Sequence, residues 1–264
     1  MARALLEAGH KPDLLYGSSA GAFNAAWLGY DPSLEGLGRL AELWNALQRR
    51  DVFPFNPWTV LCGLAGITDH TVSPRPLAKW IRSVTPLQRL EDASLPVALV
   101  ATDIQTGEEV LLDRGPVAPA LLASSAIPGI FPPVRIDGHW LMDGGVASDT
   151  PIGQAVKAGA TRVWVLPCYP DDPLFMGRPR SAIDTLLNSS TIVVARQSAA
   201  AVARWCQSCE VFLVPAPRIA GVSAFDFGSS QQLMDAGYGE AGQWLVDARP
   251  VVGPPPGSNE RQKY

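Results

Sequence analysis

Histidine is scarce in this chain: three in 264 residues, at His10, His70 and His139. A catalytic triad in the chain order nucleophile, acid, histidine is therefore excluded for any acid beyond residue 139. Cysteine is also sparse, with four residues, and a chain this long cannot be read as a disulfide framework from so few. Cys206-x-x-Cys209 has no further Cys or His at ligand spacing, and it falls near the end of a helical stretch rather than at its start. These thiols read as structural. No metal or other cofactor is expected. Charged residues make up 17% of the chain and the net charge is −4, so nothing favours a nucleic-acid partner. No apolar run is long enough to span a bilayer. The nearest, Val52 to Ile67, is interrupted by Pro54, Asn56 and Pro57 and reads as a loop with one short helix. Two readings of it stay open, a lid or wall of the core, or a contact with lipid. Arg3 and Glu7 stand where a signal peptide would be apolar. The expected location is the cytoplasm, with peripheral membrane contact through the apolar segment as the variant.

What is present starts with Gly17-Ser18-Ser19-Ala20-Gly21. The apolar run Leu14-Leu15-Tyr16 precedes it, and the helix-forming Ala22-Phe23-Asn24-Ala25-Ala26-Trp27-Leu28 follows. A G-x-S-x-G at a strand-to-helix junction is a nucleophile elbow, whose tight turn lifts the serine hydroxyl out of the sheet. The helix N-terminus beneath it favours negative charge. The pentapeptide alone would equally suit a glycine-bounded turn with a structural serine, so a second motif is needed. That motif is Asp143-Gly144-Gly145. Ile136-Asp137-Gly138-His139-Trp140 reads as a hairpin turning at Asp-Gly, and its return strand delivers Asp143 to a glycine turn. Two glycines let the backbone bend sharply and let another chain approach the carboxylate. With no histidine downstream, a base for Ser19 is most economically a carboxylate set directly against it. Asp103 and Asp149 compete with Asp143 for that role on residue type alone.

Four stretches in order resemble the patatin-like phospholipases, a family that uses a Ser-Asp dyad. They are Pro12 through Ala26, Ala101-Thr102-Asp103 with Thr106-Gly107-Glu108, Ala123 through Pro133, and Asp143-Gly144-Gly145 with Pro151-Ile152 behind it. The resemblance implies Ser19 as nucleophile and Asp143 as base, with Gly17, Gly21, Gly144 and Gly145 shaping the two turns. It implies Ala20 N–H as an oxyanion donor. The substrate class implied is a lipid or other acyl ester. Ser125 and the bend Ile127-Pro128-Gly129-Ile130-Phe131 read as pocket wall, or equally as core and turn. The resemblance also implies an N-terminal strand and a glycine-rich turn with a basic residue. This chain begins Met1-Ala2-Arg3-Ala4-Leu5-Leu6-Glu7, which reads as the helix after that turn, and no Gly-Gly-x-Arg occurs. The expectation is a start placed downstream of those elements, leaving an exposed sheet edge beside the elbow strand and poor solubility.

Alternation of strands and helices predicts an α/β fold, three layers with a mainly parallel central sheet, patatin-like. Helices are expected over 2–9, 20–29, 33–50, Ser73 to Val84, 116–125, Thr150 to Gly159, 181–206 and Ser229 to Val246. Strands are expected over 13–17, Pro96 to Ala101, Glu109 to Leu112, Arg162 to Leu166 and Val211 to Val214. Residues 168–180 read as a Pro/Asp/Arg loop. One acyl-hydrolase domain is expected over 1–247, with a disordered tail over 248–264. The functional expectation is a serine acyl hydrolase acting through an acyl-enzyme. The alternative is a non-catalytic lipid- or acyl-binding protein on the same scaffold, since the oxyanion turn is missing. A protease or amidase is disfavoured, because protonating a leaving amine calls for histidine.

Overall fold

Seven consecutive buried residues, Val97 to Asp103, form the strand around which the fold is built. A run apolar on both faces suits a strand covered by helices on either side. The computed structural model describes residues 1–168, 182–217, 219 and 227–251. Its helices are α1 (Ala2–Glu7), α2 (Ala20–Tyr30), α3 (Leu34–Ala46), α4 (Arg49–Val52), α5 (Pro57–Leu64), α6 (Arg75–Val84), α7 (Val117–Ser124), α8 (Gly145–Ser148), α9 (Ile152–Lys157), α10 (Ala182–Trp205) and α11 (Ser230–Leu245). Its strands are β1 (Leu15–Ser18), β2 (Val97–Asp103), β3 (Glu109–Leu112), β4 (Val134–Ile136), β5 (His139–Asp143), β6 (Arg162–Val165) and β7 (Glu210–Leu213).

The α/β architecture expected from the alternation holds, and the sheet is mixed where mainly parallel pairing was expected. β1 runs parallel to β2, and β6 runs parallel to β7 in a second sheet. β3 and β5 both run antiparallel to β2, and β4 runs antiparallel to β5. The difference has a simple cause. Strands joined by short turns must reverse direction, and both β2–β3 and β4–β5 lack a crossover helix. At the second turn Asp137 and Gly138 have φ of 49° and 92°, the left-handed pair that a two-residue hairpin requires.

Helices cover both faces of each sheet. On one face of β2, Val97, Leu99 and Ala101 join Phe23 and Trp27 of α2, Leu77 and Ile81 of α6, and Ala120 and Leu121 of α7 in the largest core cluster. On the other face Ala98, Val100 and Thr102 are equally buried, and α8 packs against the strand. In the second sheet Trp164 and Val214 pack with α1 and α11, whereas Val165 and Val211 pack with α9 and α10. This is the period-two alternation of strand side chains expressed in three dimensions.

Most element ends shift by one to three residues from the sequence pattern, and two of the differences have a visible cause. The stripe over 33–50 is two helices, because Leu47 is buried in an extended conformation and Gln48 with Asp51 then caps α4 afresh. The helix expected from Ser73 begins at Arg75, with Ser73 Oγ accepting from its N–H at 3.4 Å. Among the described residues β1 pairs with β2 alone, and no helix is long and apolar enough to cross a membrane. Most of the expected loop over 168–180, and the expected tail beyond residue 251, lie outside the described residues.

Candidate active site

Ser19 sits at the top of β1 with φ 52° and ψ −121°. A non-glycine residue in that region carries strain of about 1–3 kcal/mol and persists only where its surroundings hold it. Two features hold it here. At Gly17 a Cβ would lie 2.2 Å from the Gly21 carbonyl oxygen, so only glycine lets strand and helix pass this close. The Ser19 N–H donates to Ser124 Oγ at 3.0 Å, and the Ser124 hydroxyl donates to the Val100 carbonyl at 2.6 Å. Ser124 is fully buried at the end of α7, and it ties the elbow to the central strand. At Gly21 a Cβ would meet nothing within 4 Å, so its place in the motif supplies the carbonyl and not the space. Ala20 opens α2 and is exposed. Its N–H is one of the first-turn donors that a helix leaves without an intrahelical acceptor.

Asp143 reaches the same place from the opposite direction. β3 occupies one edge of β2, so β1 and β5 share the other. Along that edge Ser18 stands opposite Val100, and Asp143 stands opposite the next residue, Ala101. Because β1 is parallel and β5 antiparallel to β2, the two chains arrive head to head. The register therefore brings Ser19 and Asp143 together, although 123 residues of chain lie between them.

The Asp143 turn is held as firmly as the elbow. Its N–H donates to the Ala126 carbonyl at 3.0 Å, and Thr102 Oγ1 donates to its carbonyl at 2.8 Å. Thr102 Oγ1 also accepts from Ala147 N–H at 3.1 Å. At Gly144 a Cβ would lie 2.2 Å from the Val100 carbonyl oxygen, the atom that also accepts from Ser124. One carbonyl of β2 thus meets both turns. Asp143 is 7% exposed, and its carboxylate accepts from Gly145 N–H at 2.8 Å. Burial pushes its pKa up to about 6, and the negative charge of Asp149 adds to the rise. The Gly145 N–H and a hydrogen bond with the Ser19 side chain oppose it. A carboxylate so placed is a stronger base than an exposed one.

The rival acids have other partners. Asp103 Oδ2 pairs with His139 Nδ1 at 2.6 Å, and its Oδ1 accepts from Gln105 and Thr106 N–H, as in a turn. The His139 hydrogen bond holds the Asp103 carboxyl below its usual range. Asp149 accepts from Ser198 Oγ at 3.3 Å, and burial raises its pKa. It lies beside Gly145, close enough to add its charge to the Asp143 site. The other histidines face elsewhere: His70 pairs with Asp69, and His10 packs on Trp164. Ser125 lines a cavity of about 300 Å³ with Leu77, Ala78, Leu122, Phe131 and Val134, and neither Ser19 nor Asp143 is on its wall. Among the described residues no three His, Cys, Asp or Glu side chains stand together as metal ligands would.

Ser124 and Thr102 are the site residues that sequence reasoning missed. Both are polar residues inside otherwise apolar buried stretches, and that is the signal that could have found them. Ser124→Ala leaves the Ser19 N–H without its partner. A destabilisation of about 1–3 kcal/mol is expected, measured by chemical denaturation against the wild-type chain.

A sequence model described as patatin-like phospholipase matches residues 1–156. An uncharacterised NTE family protein of Mycobacterium tuberculosis is 38% identical over 80 residues, covering 30% of this chain and 22% of the relative. A second is 26% identical over 155 residues, covering 52% of this chain and 27% of the relative. Counterparts of both from Mycobacterium bovis match equally. The aligned part is about a quarter of the length of these curated relatives.

Proposed function

The chain belongs to the patatin-like phospholipase family, and from that footing we propose that it is a serine acyl hydrolase acting on lipid esters through a Ser19–Asp143 dyad. The observation that carries the reading is the head-to-head arrival of β1 and β5 on one edge of β2, which sets a buried carboxylate against an elbow serine. Asp143 accepts the Ser19 hydroxyl proton as Oγ bonds to the acyl carbon, whose carbonyl π electrons move onto oxygen. Collapse of that tetrahedral species expels the alcohol, which takes the proton from Asp143. Water then gives a proton to the same carboxylate and attacks the acyl-enzyme, and Ser19 leaves with that proton as the acid is released. The Ala20 N–H at the start of α2 is the donor closest in chain to the nucleophile, with the positive end of the helix dipole behind it.

In this reading the lipid substrate brings the protein to a membrane surface as a peripheral contact. A lipid- or acyl-binding protein without turnover is the second reading. A fluorophosphonate probe separates the two. The expected result is one stoichiometric adduct, mapped by peptide mass spectrometry to Ser19. Ester turnover by a chain whose adduct maps to another residue overturns the dyad, and absence of both adduct and turnover leaves the binding protein.

A further inference from the structure

The 17 residues from Val52 to Thr68 contain no charged side chain, and beyond Val52 and Phe53, which pack against the core, the large apolar side chains turn outward. No residue of α5 is buried. Phe55 is 82% exposed, Trp58 71%, Leu64 78% and Ile67 74%, with Leu61 also exposed. Trp58, Leu61 and Leu64 are three residues apart and share one face of the helix. Five large apolar side chains turned to solvent in so short a stretch are not the scattered surface residues of an ordinary monomer.

The segment is nevertheless an organised element. Asn56 Oδ1 caps α5 by accepting from Trp58 and Thr59 N–H, and Pro57 takes the first helical position. At Gly63 a Cβ would lie 2.6 Å from the His70 carbonyl oxygen, so the returning chain packs directly on the helix. Both ends of the excursion are tied to the bend that follows α7. Phe53 stacks on Phe131 at 5.6 Å, and Thr71 and Val72 N–H donate to the Ile130 carbonyl at 3.2 and 2.9 Å. The bend Ile127–Phe131 continues directly from α7, the helix that ends at Ser124 and holds the elbow.

Charge identifies the occupant of this face. Residues 49–82 hold Arg49, Arg50, Arg75, Lys79 and Arg82 against only Asp51 and Asp69, whereas the whole chain is net −4. An uncharged apolar tip bearing a tryptophan, flanked by cations in an otherwise acidic protein, has the composition of an interfacial element for an anionic bilayer. We infer that α5 and its flanks, Phe53 to Ile67, form a docking finger that inserts Phe55, Trp58, Leu61, Leu64 and Ile67 into an anionic lipid surface. The inference deepens the lipid-hydrolase reading and rests on it for placing the protein at a membrane. The finger is rooted on the bend that follows α7, the helix whose Ser124 holds the elbow, so docking carries that end of the molecule to the surface from which the substrate is drawn.

The test is co-sedimentation of the full chain with vesicles of ether-linked phosphatidylcholine, with and without ether-linked phosphatidylglycerol, which a hydrolase cannot consume. Binding is expected to the anionic vesicles, to weaken as salt rises, and to fall by about tenfold or more in the double variant Trp58→Ser/Leu64→Ser. Hydrolysis of a soluble short-chain ester by that variant is expected to stay at the wild-type level. Equal binding of the variant, or no binding by the wild-type chain, overturns the inference. A wild-type dimer that the same substitutions turn into a monomer, without vesicle binding, assigns the face to a second copy and also overturns it. Vesicle binding by a chain that cleaves no ester would instead count against the hydrolase reading and leave the finger standing.

Discussion

Ser19→Ala is expected to lower kcat on a soluble ester by at least about 10³-fold, because in the proposed mechanism the acyl-enzyme forms on its Oγ. Asp143→Asn is expected to cost about 10²–10⁴-fold. Asparagine still offers an oxygen to the Gly145 N–H, so the turn keeps its hydrogen bond. It cannot take up the serine proton. In the proposed dyad the two residues act as one unit, so the double variant should be little worse than the poorer single one. Steady-state kinetics on the three variants, with circular dichroism to show that each is folded, decides the matter. An Asp143→Asn chain with most of its activity intact would move the base elsewhere. Asp149 would then be the first place to look, since it is half-buried and close enough to act on the same site.

The second large effect is on pH dependence. In the proposed dyad Asp143 acts as a base only when ionised, and burial pushes its pKa up to about 6. Below that value kcat/KM is expected to fall about tenfold per pH unit. Asp149→Asn removes a neighbouring negative charge and should move the midpoint to lower pH. The same shift has a consequence for stability, and its sign is opposite to that of a salt-bridged carboxylate. An unfolded aspartate ionises near 3.9, so between about 4 and about 6 the folded chain holds a proton that the unfolded chain has lost. Stability from this group therefore falls as pH rises through that window and stays low above it. The shift of about two units corresponds to roughly 3 kcal/mol. Asp143→Asn should accordingly be the more stable protein in mildly alkaline buffer and lose its advantage near the unfolded pKa. Denaturant titrations at the two ends of the window measure this. A variant that gains nothing at alkaline pH would mean that Asp143 is better solvated than its burial implies.

Much of the fold was legible because the informative features are local. A short apolar run such as Val97 to Ala101 suits a strand covered on both faces, and the Asp137-Gly138 pair marks its own turn. Gly17 is readable for the same reason, since a close backbone approach leaves no alternative residue. Chain direction is harder. Alternating strands and helices suggest parallel pairing, but β3 and β5 follow short turns and run back along β2. The polar supports of the site were invisible as such. A serine among the alanines and leucines of α7 looks like any small residue until its hydroxyl is found between the Ser19 N–H and the Val100 carbonyl. On residue type alone Asp103 is as fit for catalysis as Asp143, and only the structure shows His139 and two turn N–H groups occupying its oxygens.

Residue order alone determined the two turns and the chemistry that each can carry, because glycine spacing and the shortage of imidazole act over a few neighbouring positions. It also determined that 52–68 would be apolar and uncharged. Only the folded molecule decided that Ser19 and Asp143 meet, that burial lifts one carboxyl and not another, and that the apolar segment faces outward. Those outcomes depend on strand register and on what covers each group, and both are set by contacts between residues that are far apart in the chain.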